Sequence, residues 1–247
     1  TARLVADKRG PRLKQTVIIE NRGGAGGNIA ARAVAQSAPD GYTIMMHASG
    51  PMILRPIIDP SIGYDPVKGF TPIVLVGESP NVILGGSKFP ARSVQDMVGW
   101  AKKNPGLLTV GHPGLGTAGH LGALLLASRA GITGNYIAYR DHAQILPDIL
   151  GGQIDVASVA YAPQLKSANI LAVMAPERVE FLPAVPSMRE AGFPDVYAST
   201  WWALYGPPNL PPDIVARLNA VMNAFLRSDD ARKQMALVGF QALGGST

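Results

Sequence analysis

The 247-residue chain contains no cysteine, few charged residues (16%) and few aromatic ones (6%). Without cysteine it has neither disulfides nor thiolate metal sites, and this absence fits a periplasmic protein as well as a cytosolic one. No stretch reaches the roughly 18 uncharged apolar residues of a membrane-spanning helix. Apolar residues nevertheless make up 47% of the chain, so a sizeable buried core is expected and overall disorder is excluded.

The formal net charge of the chain is +5, which suits an anionic partner. The basic residues are scattered and form no tract, so the sequence gives little support to nucleic-acid binding. A small anionic ligand is a better match to this charge.

Strands and helices alternate along the chain, which predicts parallel sheets of the α/β class. Two loop-rich segments interrupt the alternation, around residues 78–81 and 199–202. We interpret them as crossings between two lobes with a cleft between them: residues 1–78 plus 204–247, and residues 79–203. The pattern predicts helices at 2–13, 28–35, 93–103, 118–130 and 211–226, and strands at 16–19, 42–46, 71–76, 81–84, 108–111, 135–138, 154–159 and 170–174.

A glycine loop at residues 23–27 follows a predicted strand and opens a helix, as a dinucleotide-binding loop does. Its spacing does not fit G-x-G-x-x-G/A, because the position after Gly24 and Gly26 that needs a small residue is Ile29. The chain has no G-x-x-x-x-G-K-[ST] motif either. We favour a tight turn whose helix amides face a small anion or water, and we expect no cofactor.

A second glycine loop, at residues 112–117, precedes a strongly apolar helix. Thr117 is a candidate N-cap, and the backbone amides that follow it point out of the positive end of the helix. Such a site suits a carboxylate. Capping alone accounts for Thr117 equally well, and both interpretations remain open.

The sequence shows no convincing catalytic apparatus, so no enzyme is expected. The four histidines form no H-E-x-x-H pattern, which favours loop or helix-cap histidines over a metal site. Ser49 is preceded two positions earlier by His47, whereas a G-x-S-x-G nucleophile elbow has glycine there. Trp201 and Trp202 could line a cleft, although buried core tryptophans are more common.

Ordered motifs run through nearly the whole chain. V-I-I-E-N-R-G-G-A-G-G-N at 17–28 is followed by A-P-D-G-Y-T at 38–43, Y-D-P and F-T-P within 64–72, G-T-x-x-H-L at 116–121, L-G-G-Q-I-D at 150–155 and the segment 183–192. In this order they closely resemble the Bug solute-binding proteins, the extracytoplasmic receptors of tripartite tricarboxylate transporters.

The resemblance implies an α/β fold of the periplasmic-binding-protein type II kind, in which two lobes close on a ligand about a hinge. Family ligands are mostly small carboxylates, held by backbone amides, hydroxyls and ordered water. The resemblance also implies a periplasmic monomer that passes its ligand to membrane permease subunits. A ligand-sensing module for a signalling partner is the alternative, and an enzyme on a similar scaffold is a further one.

Three departures from the family pattern bear on the ligand. The family's first strand and glycine-rich loop, which form one wall of the pocket, do not occur in this chain. Because the chain opens at Thr1 without methionine, we expect it to be processed or truncated, with its signal peptide removed. Gly119 stands where the family often has serine. Arg140, Asp141 and His142 replace part of the usual P-Y-K-G segment, as surface variation or as an influence on ligand choice.

Position in the family pattern assigns the candidate ligand-binding residues. The carboxyl ends of parallel strands, where α/β proteins bind ligands, supply most of them. The candidates are His47, Ala48 and Ser49 in the first lobe, Gly116, Thr117, Ala118, Ser158 and Tyr161 in the second, and Trp201 near the hinge.

Overall fold

A computed structural model describes residues 2, 15–22, 27–59, 61–139 and 142–247. The chain forms two compact units, residues 1–78 with 201–247, and residues 79–200. The return to the first unit therefore falls at residue 201, three residues before the position taken from the sequence. Most of the helix expected at 2–13, positions 23–26 of the first glycine loop, and Arg140 and Asp141 lie outside the described residues. None of the helices described is long and apolar enough to cross a membrane.

Seven helices and eight strands are assigned within the described ranges. The helices are α1 (Asn28–Ala35), α2 (Arg55–Ile58), α3 (Val94–Lys103), α4 (Ala118–Ala130), α5 (Ile145–Gly151), α6 (Pro212–Leu226) and α7 (Asp229–Leu237). The strands are β1 (Met45–Ala48), β2 (Thr71–Gly85), β3 (Leu108–His112), β4 (Gly134–Ala138), β5 (Val156–Ala160), β6 (Asn169–Val173), β7 (Ser199–Gly206) and β8 (Gln241–Ala242). A π-helical turn (Gly50–Leu54) links β1 to α2, and 3₁₀ turns occupy His142–Gln144 and Pro163–Ser167.

In the first unit, β7 lies between β1 and the first half of β2. β1 runs antiparallel to β7, and β8 pairs antiparallel with Gly77 and Glu78 of β2. The buried positions of α6 recur at helical spacing, so one apolar stripe packs against the sheet. The largest core cluster of this unit comprises Ile73, Val74, Val76, Leu204, Leu210, Val215, Leu218, Met222, Phe225, Leu226, Ala231, Met235 and Phe240.

In the second unit, β5 lies at the centre of the sheet. It is antiparallel to the second half of β2 and parallel to β3, which is in turn parallel to β4; β6 pairs with the other side of β2. One buried cluster joins the sheet to α3 and α4, and a second joins it to α5. The carboxyl ends of β3 and β5 therefore lie at the same edge of the sheet, where α4 begins.

Two sequence expectations about strands are wrong. Residues 16–19 form no strand, and Ile18 is 86% exposed, because β-branched residues form a stable strand only where a partner strand is available. The two short strands expected at 71–76 and 81–84 are one 15-residue strand, β2. The sheets are also mixed, since every described pairing of β2 with β5, β6 and β8 is antiparallel.

The starts of β3 and β5 are joined by one side-chain cluster. Asp155 Oδ2 accepts hydrogen bonds from Thr109 N and Thr109 Oγ1, both at 2.8 Å, and Asp155 N donates to Thr109 Oγ1 at 2.8 Å. We expect Asp155→Ala to lower the free energy of unfolding by about 1–3 kcal/mol, because it leaves half-buried donors without an acceptor. Urea denaturation measures the change. Asp195→Ala at an exposed turn should stay within about 0.5 kcal/mol of the parent, and equal losses in both variants would contradict this role.

Candidate functional site

The loop between β3 and α4 is fixed by its own hydrogen bonds. Thr117 is the N-cap of α4: its Oγ1 accepts from His120 N at 3.3 Å and donates to Gly114 O at 2.8 Å. Gly114 and Gly116 have φ angles of +118° and +72°, which residues other than glycine rarely adopt. The predicted cap is thus confirmed, and it holds the loop against the helix terminus.

The first turn of α4 presents unpaired backbone donors. Thr117 N donates to Gly114 O, but the N–H groups of Ala118 and Gly119 have no protein partner within the part of the chain that the structure describes. α4 has 13 residues, so the positive end of its dipole adds to these donors. The arrangement is suited to an oxygen of a carboxylate or another small anion.

α4 approaches β5 closely at Gly119. A Cβ atom at this position would lie 2.4 Å from the backbone oxygen of Ser158 and 3.0 Å from Cδ of Pro113. The helix start and the end of β5 are therefore in direct contact, which brings Ser158 to the same region as Gly116, Thr117 and Ala118. Ser158 is fully buried, and its hydroxyl lies 3.5 Å from Sδ of Met174.

Two histidines, His112 and His120, contact the loop between β3 and α4. The rings of His112 and His120 stack with centroids 4.3 Å apart, and Tyr136 meets His120 edge-on at 6.2 Å. His120 Nδ1 accepts from Gly116 N at 3.3 Å, and His112 Nδ1 lies 3.1 Å from Gly114 O. Burial lowers the pKa of both histidines, and the charge of His120 lowers that of His112 further. In the described ranges no third side chain completes a metal site with them.

In the first unit, the three candidates at the end of β1 lie together. His47 is 9% exposed; its Nε2 lies 3.0 Å from Gly27 O, and its Nδ1 accepts from Ala48 N at 2.9 Å. Both contacts fit a neutral ring that carries its proton on Nε2. Burial lowers the pKa of His47, and the hydrogen bond to Gly27 opposes this in part. Ser49 Oγ is buried and has no partner among the described residues.

Tyr161 and Trp201 occupy different surroundings. Tyr161 is 3% exposed and stacks on Phe181 in the core cluster on the α5 side, whereas Ser158 packs towards Met174 in the α4 cluster. The Tyr161 hydroxyl is buried and has no partner in the described ranges. Trp201 lines an apolar cavity of about 360 Å³ within the first unit, beside Val74, Leu75, Glu78 and Tyr205. Tyr161 thus lies in a different core cluster from the residues packed against α4.

Sequence reasoning did not anticipate two parts of this site. It interpreted His112 and His120 as ordinary loop or cap histidines, and it noted Gly119 only as the loss of the serine hydroxyl that the family often has there. The available signal was the placement of one histidine at a strand end and the other in the first turn of the next helix, with glycines between them. That placement allows both rings to reach the same loop.

The family model described as "Tripartite tricarboxylate transporter family receptor" matches residues 1–247. The chain belongs to this receptor family. Protein BugT of Bordetella pertussis is 33% identical over 244 residues, which cover 96% of this chain and 75% of BugT. The resemblance to the Bug proteins that the ordered motifs indicated is thereby confirmed.

Solved structures of this receptor family share the fold. Rpa4515 of R. palustris, solved with adipate, has a TM-score of 0.93 and 31% identity over 99% of this chain and 84% of its own. MatC from Rhodopseudomonas palustris, solved with bound malate, has a TM-score of 0.87 and 30% identity over 98% of this chain and 84% of its own. The predicted α/β fold of the periplasmic-binding-protein type is confirmed, and the chain is a solute-binding receptor by family.

Proposed function

We propose that this receptor captures a small dicarboxylate in the periplasm and delivers it to the permease subunits of a tripartite transporter. The observation that carries the proposal is the pair of unpaired N–H groups at the start of α4, beside the loop held by Thr117. The adipate and malate of the two solved relatives support a ligand with two carboxylates. The net charge of +5 favours the approach of such an anion.

The candidate residues take different roles in this proposal. Ala118 donates its backbone N–H to one ligand carboxylate. Gly116 and Thr117 fix the conformation of the loop, and Ser158 packs against the start of α4. His47, Ala48 and Ser49 form the ligand wall of the first unit, where the orphan Ser49 hydroxyl is the available donor. The surroundings of Tyr161 make it peripheral to the carboxylate at α4, and Trp201 is assigned no hydrogen bond to the ligand. The receptor acts as a monomer, without metal or nucleic acid.

Ala118→Pro tests the proposed donor with little cost to the fold. Ala118 is the first helical residue, a position that favours proline, and Thr117 before it has φ −84° and ψ 159°, which proline requires of its predecessor. The variant loses one N–H and retains the cap. We expect the dissociation constant for succinate, malate or adipate to rise at least about tenfold, since a hydrogen bond to a charged group contributes about 1.5–3 kcal/mol.

Titration calorimetry measures the affinities, after a thermal-shift screen of mono-, di- and tricarboxylates. A ligand at about 100 times its dissociation constant should stabilise the parent chain by about 2.7 kcal/mol. Asp229→Pro makes the same change at the first residue of α7 and should leave affinity unchanged. A screen without a hit contradicts the receptor proposal, and so does chemical turnover of the bound acid. Equal affinities for Ala118→Pro and the parent contradict the assigned donor.

A further inference from the structure

The loop between β3 and α4 contacts an imidazole, that of His120, which is not among the candidate ligand residues. Gly116, in the left-handed conformation, donates its backbone N–H to His120 Nδ1 at 3.3 Å. His120 is itself tied to the loop, because its own N–H donates to Thr117 Oγ1. The side chain thus closes a ring of contacts from the first turn of α4 back to the loop before it.

This contact requires a neutral His120. A hydrogen-bond acceptor at Nδ1 needs a free lone pair, and a protonated imidazole has N–H groups at both nitrogens. Protonation would therefore place an N–H donor against the N–H of Gly116. The loop would lose the contact that holds Gly116 one residue before the N-cap.

The surroundings of His120 favour the neutral form. The titratable groups that face it are His112 from β3, whose ring stacks on it, and Tyr136 from β4, which meets it edge-on. Burial is the single cause that lowers the pKa of His120, so no Asp, Glu, Lys or Arg of the described ranges contributes. A second imidazole at 4.3 Å also opposes protonation of the pair, because like charges would then be in contact.

We propose that His120 is a positioning residue for ligand binding: its neutral Nδ1 holds the Gly116 amide and keeps the α4 loop in the binding conformation, so that protonation of His120 weakens binding. The proposal rests on the proposed function, since it concerns the same loop. It adds a pH dependence to the capture of the dicarboxylate.

Two substitutions distinguish the effect of the Nδ1 lone pair on binding from that of the volume of the ring. His120→Asn places an amide oxygen on Cγ, where the imidazole carries Nδ1, so it offers an acceptor in the same place that cannot be protonated. His120→Leu fills part of the volume without an acceptor. At pH 7.5 we expect His120→Asn to bind malate or adipate within about threefold of the parent and His120→Leu about tenfold more weakly, as loss of one hydrogen bond predicts.

The pH profile provides the second readout. Calorimetric titrations at pH 7.5, 6.5, 5.5 and 5.0 give the ratio of the parent's dissociation constant to that of His120→Asn. The ligand's own protonation is common to both proteins and cancels. We expect the ratio to rise about threefold or more towards pH 5.0, because His120 takes up its proton as the pH falls below the ordinary histidine pKa of about 6.5 and through the lowered pKa of the buried ring.

Each other outcome overturns the inference. A constant ratio means that binding between pH 7.5 and 5.0 does not depend on protonation of His120, and equal affinity of His120→Leu means that the acceptor is not needed. A falling ratio means that a charged His120 attracts the anion directly. If the parent binds no dicarboxylate at pH 7.5, the proposed function fails, whereas the outcomes above leave it intact.

Discussion

Gly119→Ser is expected to lower the free energy of unfolding by about 1–3 kcal/mol, because it forces atoms into an occupied space. The new Cβ would lie 2.4 Å from the Ser158 backbone oxygen, far inside van der Waals contact. That oxygen cannot move freely, since Ser158 is paired with Ile83 in the sheet. α4 must therefore shift away from β5, and the start of the helix would move with it. We expect weaker dicarboxylate binding as a second consequence.

Gly99→Ala supplies the matched control in a neighbouring helix. Gly99 lies in α3, is exposed, and has no atom within 4 Å of a built Cβ. Replacing a helical glycine by alanine in open space stabilises a protein by about 0.5–1 kcal/mol. Urea denaturation should thus give shifts of opposite sign for the two variants. If Gly119→Ser is as stable as the parent, the close approach of α4 to Ser158 is not a constraint.

Local chemistry made much of the second unit predictable. Ser93 Oγ accepts from Asp96 N at 3.0 Å at the start of the helix expected at 93–103, and Thr117 caps α4 as the sequence indicated, because an N-cap is decided within four residues. A lobe boundary near residue 78 could also be predicted from composition. The continuity of β2 could not, because Gly77 pairs with Ala242 and Asn81 with Ala160, partners far away in the chain.

The candidate site likewise has parts that the sequence predicts and parts that it does not. The donors at the start of α4 follow from a glycine loop before a helix, which the sequence displays. The contacts that hold these donors in place could not be predicted from the sequence. The stacking of His112 on His120 depends on the turn between β3 and α4, and the need for glycine at position 119 depends on the approach of β5. The resemblance drew attention to Gly119, and the structure supplies a steric reason for glycine there.

Lowering the pH from 7.5 to 5.0 is expected to destabilise the protein through His47. Burial holds the pKa of His47 below its value in the unfolded chain, about 6.5, and its hydrogen bonds fit the neutral ring. The unfolded state therefore takes up the proton first as the pH falls. The stability associated with neutral His47 is fully present above about pH 6.5 and is lost as the pH falls through the folded pKa. Each unit between the two pKa values corresponds to about 1.4 kcal/mol.

His47→Gln isolates this contribution, because a glutamine amide can donate to Gly27 O and does not titrate. Urea denaturation at half-unit pH steps should show a smaller loss of stability between pH 7.5 and 5.0 in this variant than in the parent. His120→Asn should remove a further part, since burial lowers the pKa of His120 as well. Asp65 and Asp96, whose carboxylates accept backbone N–H groups, have lowered pKa values and act below about pH 4, outside this range. If the parent, His47→Gln and the double variant His47→Gln/His120→Asn lose the same stability between pH 7.5 and 5.0, the role assigned to these histidines is contradicted, because the proton uptake would then occur elsewhere.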